Sequence, residues 1–517
     1  MKPTMGGVPG QVYTFCRREK KKQEKKVKSY KPSYEYNIMF KNIDSAALFS
    51  LICTCVGTGI LQLPLTLKQG GWMCVALIFL VAALTNTTGR WLIKCLYSAE
   101  ASNTRLNDYP AVGQEACGLC GKVMVQIFHK ATLLGVTSIF MVLTAKFLLE
   151  GVGGGGEGFV PSLGTAANEV LWQKRWAVIA GIIVWFPCVF IKNMKEIKPL
   201  AIFGMMASLL CVLEIVVFAL IIEPVTLSSA HEYELPVPPS FYNSTRIQAG
   251  GSVNHQIFTP AQFPVAFSAI TLSFGGHAVF PDIEKSMQDR NKFNATFNFA
   301  YVVLLVVYIL AACFGFYTFG DITYSPILCN FPRSTTTAMG AITASTKLLI
   351  AFHVMSAYPI LMTVMTTELE ESFGWNRLQI LPGTESDNVW NDGDDDHEIS
   401  LLRDLDDEKN ENNVKDSWIV FFKRSTLRTL LVVLTVCIAV LIPFFGLLME
   451  LVGAMCLTMM VFVLPVVFSF QLWGHKMTMA QKVFGIFIVA VGSIGGLIGT
   501  MQALSNIAAS LKAGKHE

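Results

Sequence analysis

Apolar residues along this chain gather in runs of about 20, the length a helix needs to cross the hydrocarbon core of a bilayer. Eleven such runs are predicted: 45–67, 73–97, 123–150, 176–192, 199–222, 261–281, 295–319, 338–366, 425–445, 447–472 and 481–505. Pro443 and Gly446 divide what would otherwise read as one overlong helix through 425–472. The pattern predicts an all-α integral membrane protein. A transmembrane domain covers 43–505, between a tail at 1–42 and a short C-terminal tail at 506–517, with 370–422 as a long polar loop. Two further polar stretches, 151–175 ("GVGGGGEGF" onward) and 223–260 (with "PVPPSFYNST"), join spans on the opposite side.

Two of the runs carry poor helix formers at mid-depth. The first reads "TCVGTGILQLP" from Thr54 to Pro64, and the sixth contains "SFGGHAVFP" from Ser273 to Pro281. Gly59 precedes Pro64 by five residues, and Gly276 precedes Pro281 by the same number. Irregular backbone at membrane depth is tolerated only inside protein or along a water-filled cavity. Matched interruptions in two halves of opposite direction point to a transporter built from inverted repeats, with helices one and six unwound. The competing reading is that Gly only permits close helix packing, as it does at Gly492–Gly496 in the last span. Unwinding exposes backbone N–H groups that suit a carboxylate and carbonyls that suit an ammonium or a cation. An α-amino acid carries both groups on one carbon.

Composition agrees with the membrane assignment, at 52% hydrophobic and only 15% charged residues. The net charge of +3 conceals a segregation, with a basic run at 17–31 and an acidic one at 385–411. Lys and Arg near the span ends place the N-terminus in the cytosol, against the minority of Lys174 and Arg175, and the C-terminus outside or in a lumen. The basic residues adjoin no short apolar region with a cleavage site, so no cleaved signal peptide is expected. The acidic stretch, cytosolic in this orientation, is expected to be disordered. Asn243 is the sequon expected to carry a glycan, while Asn294 and Asn86 fall in the cytosol and the membrane. The 13 cysteines form no disulfide framework and mostly sit in apolar spans. Cys117 and Cys120 have zinc-pair spacing without a second pair, so no metal site is expected. Tyr36–Met39 fits a tyrosine sorting tetrapeptide, a pattern that chance also supplies.

The motifs "GTGILQLPLTLKQGGW" (57–72) and "FSAITLSFGGHAVFPDIEKSMQDRNKF" (267–293) resemble the amino acid/auxin permease family. "KLLIAFHVMSAYPILM" (347–362) and "ELVGAMCLTMMVFVLP" (450–465) extend the resemblance across the membrane core. It implies eleven helices, a five-plus-five inverted-repeat core, and secondary amino acid transport driven by a proton or sodium gradient. Where many members have Asn, this chain has Cys53, which makes the adjacent Thr54 the better substrate contact. Expected substrate-binding residues are thus Thr54, Gly57, Thr58, Gly59, Ser273, Phe274, Gly275 and Gly276. Ionisable residues inside the spans supply the ion-coupling candidates His277, Glu214 and Lys347, and the resemblance adds Ser356 as a sodium-site candidate. Against these stand a neutral His277 bonded to a freed carbonyl and an outward-snorkelling Lys347. Beyond a co-transported proton or sodium ion no cofactor is expected, and the partners are an amino acid and lipid, not nucleic acid. The alternative function is an amino acid sensor that signals through its cytosolic segments. No HExxH, nucleophile motif or metal-ligand cluster supports an enzyme.

Overall fold

In the computed structural model the first apolar run folds in pieces. Asp44 caps helix α1 (Ser45–Cys55), its carboxylate accepting from the N–H groups of Ala46 at 3.0 Å and Ala47 at 3.1 Å. After α1 comes a 3-10 turn at Thr58–Gln62 and then α2 (Leu63–Gly70). Pro64 lies in the first turn of α2, where its missing N–H removes no helical bond. Described residues are 43–55, 57–98, 105–152, 166–190, 198–332, 337–373 and 421–513. The basic tail, the tyrosine tetrapeptide, most of the glycine-rich loop and the acidic stretch lie outside them.

Helices α3 (Met73–Cys95), α4 (Tyr109–Val152), α5 (Ala166–Phe190) and α6 (Lys198–Ile222) follow. α4 begins well before the expected 123 because it is kinked at Cys117 and Gly118. Gly118 has φ 63°, a left-handed conformation that glycine adopts without penalty. Likewise α5 takes in Lys174 and Arg175, which the apolar pattern left in a loop; Arg175 lies over the Trp172 ring at 4.7 Å. The sixth run is divided like the first, into α7 (Phe263–Ser273) and α8 (Phe280–Ser286). α9 (Phe293–Phe319), α10 (Ala338–Ser372) and α11 (Phe421–Leu441) come next. The tenth run is α12 (Phe445–Val452), two π-helical segments at Gly453–Leu457 and Met459–Val463, and α13 (Leu464–Trp473). α14 (Met479–Ala513) ends the described chain, running past the expected limit of 505.

Among the described residues, seven helices are long and apolar enough to cross a membrane, against the eleven expected spans. The other four runs are the two divided ones, together with α5 and α6, whose side chains are described only in part. The described chain is helical, with an isolated bridge between Thr226 and Ser252. Apolar side chains also cover outward faces, such as Ile182 and Phe186 on α5 and Ile494, Leu497 and Met501 on α14. Such a surface suits lipid rather than water.

Inside this shell α9 packs against α1, α2, α3 and α6, while α10 lies along α4 and α6. α8 is pinned at its end by Arg105, whose Nη2 lies 2.6 Å from Glu284 Oε2 and 2.8 Å from the Pro281 carbonyl. Tyr97 also donates to the buried Glu284. In the segment between α6 and α7, short helical turns begin at a Thr226–Ser229 capping box, and Asn243 is exposed. A glycosidase-sensitive mobility shift is expected that Asn243→Gln removes and Asn294→Gln leaves. The reverse pattern would invert the orientation.

Candidate functional site

The two interruptions meet at the centre of the protein. α1 stops at Cys55 and α7 at Ser273, leaving carbonyls that a continuous helix would have bonded. Tyr308 of α9 supplies the donor. Its buried hydroxyl lies 2.6 Å from the Cys55 oxygen and 2.7 Å from the Ser273 oxygen. Tyr301, two turns earlier on the same face, points its hydroxyl at the Phe274 carbonyl at 3.5 Å. Phe274 packs between these two tyrosines, stacked on Tyr301 and edge-on to Tyr308, so it is a buried aromatic contact.

The glycines of the two interruptions divide by environment. A Cβ on Gly57 would meet nothing within 4 Å. On Gly59 it would fall 2.7 Å from Ser273 Oγ and 3.0 Å from Ser273 Cα, which marks backbone-to-backbone packing of the two broken segments. Gly275 faces the Leu457 side chain, and Gly276 faces the Phe280 ring and the Cys55 sulfur. At each of these three glycines an added Cβ would meet protein atoms, so each allows a close approach of packed segments. In α14 the packing role is the same, with Gly495 against Phe267 and Gly499 against Ser268.

A small cavity, about large enough for one water molecule, lies beside Gly57. Its lining is Gly57, Thr58, Ile60 and Leu61 from the first interruption, Ser208 and Cys211 from α6, and Ile350, His353 and Val354 from α10. Of the expected substrate residues, Gly57 and Thr58 therefore line it. Thr54 does not: it is exposed, and its hydroxyl donates to the Ser50 carbonyl of its own helix at 2.7 Å. Ser273 is buried and donates to Ala269 at 3.1 Å. On α10 it is His353, not Ser356, that shares the cavity with Gly57. The Ser356 hydroxyl is taken by the Phe352 carbonyl at 2.8 Å.

The remaining ionisable candidates separate as well. His277 is fully buried, with Nε2 2.9 Å from Thr88 Oγ1 on α3 and its ring 5.0 Å from that of Phe280, away from the cavity lining. Lys347 does not reach outward as a snorkelling side chain would. It is buried, and its Nζ lies 2.8 Å from Glu150 Oε2 on α4. Glu214 is also buried, accepting from Thr343 Oγ1 at 2.7 Å. Sequence reasoning passed over Glu150, Ser208, Cys211 and Tyr308. Their only signal is spacing, since Ser208 and Cys211, and Ile350, His353 and Val354, recur at intervals that share a helix face. Among the described residues no group of His, Cys, Asp and Glu has the arrangement of a metal site, and Cys117 and Cys120 are exposed.

Interrupted helices packed inside an outward-apolar shell of long apolar helices define a polytopic membrane protein. Residues 45–505 match the family described as "Transmembrane amino acid transporter protein", and the chain belongs to it as an integral membrane protein. It is 24% identical over 468 residues to "Amino acid transporter AVT1C" of Arabidopsis thaliana, covering 90% of this chain and 70% of that one. It is 25% identical over 460 residues to the "Vesicular inhibitory amino acid transporter" of Homo sapiens, covering 87% and 73%. The solved structure of MhsT in complex with L-phenylalanine aligns with a TM-score of 0.47 at 12% identity, over 89% of this chain and 98% of that chain. The named relatives are transporters, not enzymes.

Proposed function

We propose that the protein is a secondary active transporter that moves amino acids across a membrane by alternating access, coupled to a proton or sodium gradient. Family membership supports amino acid transport. The observation that carries the mechanism is the meeting of the two interruptions at Tyr308, with Gly57 and Thr58 open to a cavity beside them. Backbone amides freed there suit the substrate carboxylate, and freed carbonyls suit its ammonium. The lining is apolar, apart from His353, the hydroxyls of Thr58 and Ser208 and the thiol of Cys211. Once widened by movement of the helices around it, the same lining would suit an amino acid with an uncharged side chain. In this reading α1–α2 and α7–α8 are corresponding members of two inverted repeats of five helices within eleven spans. The N-terminus is cytosolic and the C-terminus lies across the membrane. The relative named as vesicular favours an intracellular membrane.

Purified protein in proteoliposomes, offered a panel of radiolabelled amino acids under imposed proton or sodium gradients, tests this. Accumulation above the external concentration that collapses with the matching ionophore is the expected result. Saturable binding without uptake under any gradient would replace the transporter with a sensor.

A further inference from the structure

Three ionisable side chains come together where α4 and α6 end and α10 begins. Lys347 forms its ion pair with Glu150 at 2.8 Å, both side chains almost wholly buried. On the α6 side, Glu214 accepts from Thr343 Oγ1 at 2.7 Å, and Lys347 follows Thr343 by one turn on the same helix. Its second oxygen, Oε2, is buried without a hydrogen-bond partner. Two buried carboxylates and one ammonium are therefore grouped in apolar surroundings, and the fully ionised set carries a net charge of −1. An isolated buried charge is strongly disfavoured, and binding a proton removes it.

Glu150 holds Lys347 directly, whereas Glu214 accepts from a neutral hydroxyl, that of Thr343. Among the described residues, the other titratable group acting with Glu214 is Cys211, one turn earlier on α6. α1 and α9 also pack on α6 but bring no charged group to that carboxylate. On the α4 side, Lys146 donates to the Ser325 carbonyl at 3.3 Å, one turn before Glu150. His353, farther along α10, belongs to the cavity. The cluster and the cavity also share a surface. Ser208, Cys211 and Glu214 recur every three residues along α6, and Lys347, Ile350 and His353 along α10.

We propose that Glu150, Lys347 and Glu214 form the binding site for the coupling ion, that this ion is a proton, and that Glu214 carries it. The inference rests on the transport reading above. A proton from the aqueous phase adds to the Glu214 carboxylate, no other bond forms or breaks, and the same proton leaves on the other side. With Glu214 neutral, Lys347 belongs to Glu150. With Glu214 ionised, the ammonium is drawn between both carboxylates, which shifts α10 against α6 one turn from the cavity. Lys347 and Glu150 are positioning residues for this step.

Three measurements on proteoliposomes and purified protein test it: counterflow exchange of amino acid, proton entry read by an internal pH dye, and infrared titration of carboxylic acid bands. Glu214→Gln, which imitates the protonated state, is expected to retain exchange but lose both proton entry and accumulation driven by a pH gradient. It should also remove a protonated-carboxyl band present in the wild type. Glu150→Gln releases Lys347 to Glu214 and stabilises its ionised form, so half-maximal uptake should move to more acid pH by about one unit or more. Glu214→Asp, which keeps a titrating group, is expected to retain proton entry and stands in where the Gln variant does not assemble. Proton entry persisting in Glu214→Gln, an unmoved or alkaline-shifted profile in Glu150→Gln, or an unchanged infrared band would overturn the assignment. Absence of exchange in the wild type would instead refute the transport reading, while the infrared titration still decides whether Glu214 holds the proton.

Discussion

Gly57→Ala is expected to lose uptake with its fold intact, while Gly59→Val loses uptake because the centre of the protein no longer packs. At position 57 an added Cβ meets no protein atom within 4 Å, so only a molecule in the cavity would encounter it. Substrate affinity should fall about tenfold or more, equivalent to roughly 1.4 kcal/mol, with little change in melting temperature. At position 59 the added atom would lie 3.0 Å from the Ser273 backbone, which cannot rotate away as a side chain can. Overpacking of this kind typically destabilises by about 1–3 kcal/mol, so a thermal-shift assay should separate the two variants. Normal transport by Gly57→Ala would move the substrate away from the first interruption.

The second large effect is expected at the end of α8. Arg105 holds the buried Glu284 through contacts of 2.6 Å and 2.8 Å to Oε2, and it also bonds the Pro281 and Leu106 carbonyls. Arg290 stands farther off, its Nε 3.9 Å from Oε1. Arg105→Met would leave the carboxylate buried with only Tyr97 and the more distant Arg290, a loss of about 3–5 kcal/mol for a broken buried pair. The purified variant should melt well below wild type. Adding Glu284→Gln should restore much of the loss, because the stranded charge is then removed. An unaltered melting temperature for the single variant would show that water or Arg290 replaces Arg105 fully. Thr54→Ala is the quiet comparison, since its hydroxyl bonds only within its own exposed helix.

Local chemistry made the places of interruption legible. Gly59 with Pro64, and Gly276 with Pro281, disfavour a continuous helix whatever surrounds them, and the chain divides at both. The use of each glycine was not legible, because it depends on what crosses behind it. Ser273 approaches Gly59, and Phe280 approaches Gly276, from positions that no periodicity reveals. Lys347 shows the same limit. A lysine in an apolar run reads equally as one reaching for water and as one standing in an ion site until Glu150, far away in sequence, is seen beside it. Tyr308 gave no polar signal at all within span seven, although its hydroxyl serves both breaks. α4 began early for a comparable reason: the kink at Gly118 lets a polar turn join the helix ahead of its apolar part.

Tyr308 has one proton and two carbonyls within reach of it, on half-helices far apart in the sequence. At any instant the phenol donates fully to one of them, and the other is left with an oxygen facing oxygen. One phenol thus ties the end of α1 and the end of α7 to the same point on α9, so its loss in Tyr308→Phe is expected to strip the α9 donor from both breaks at once.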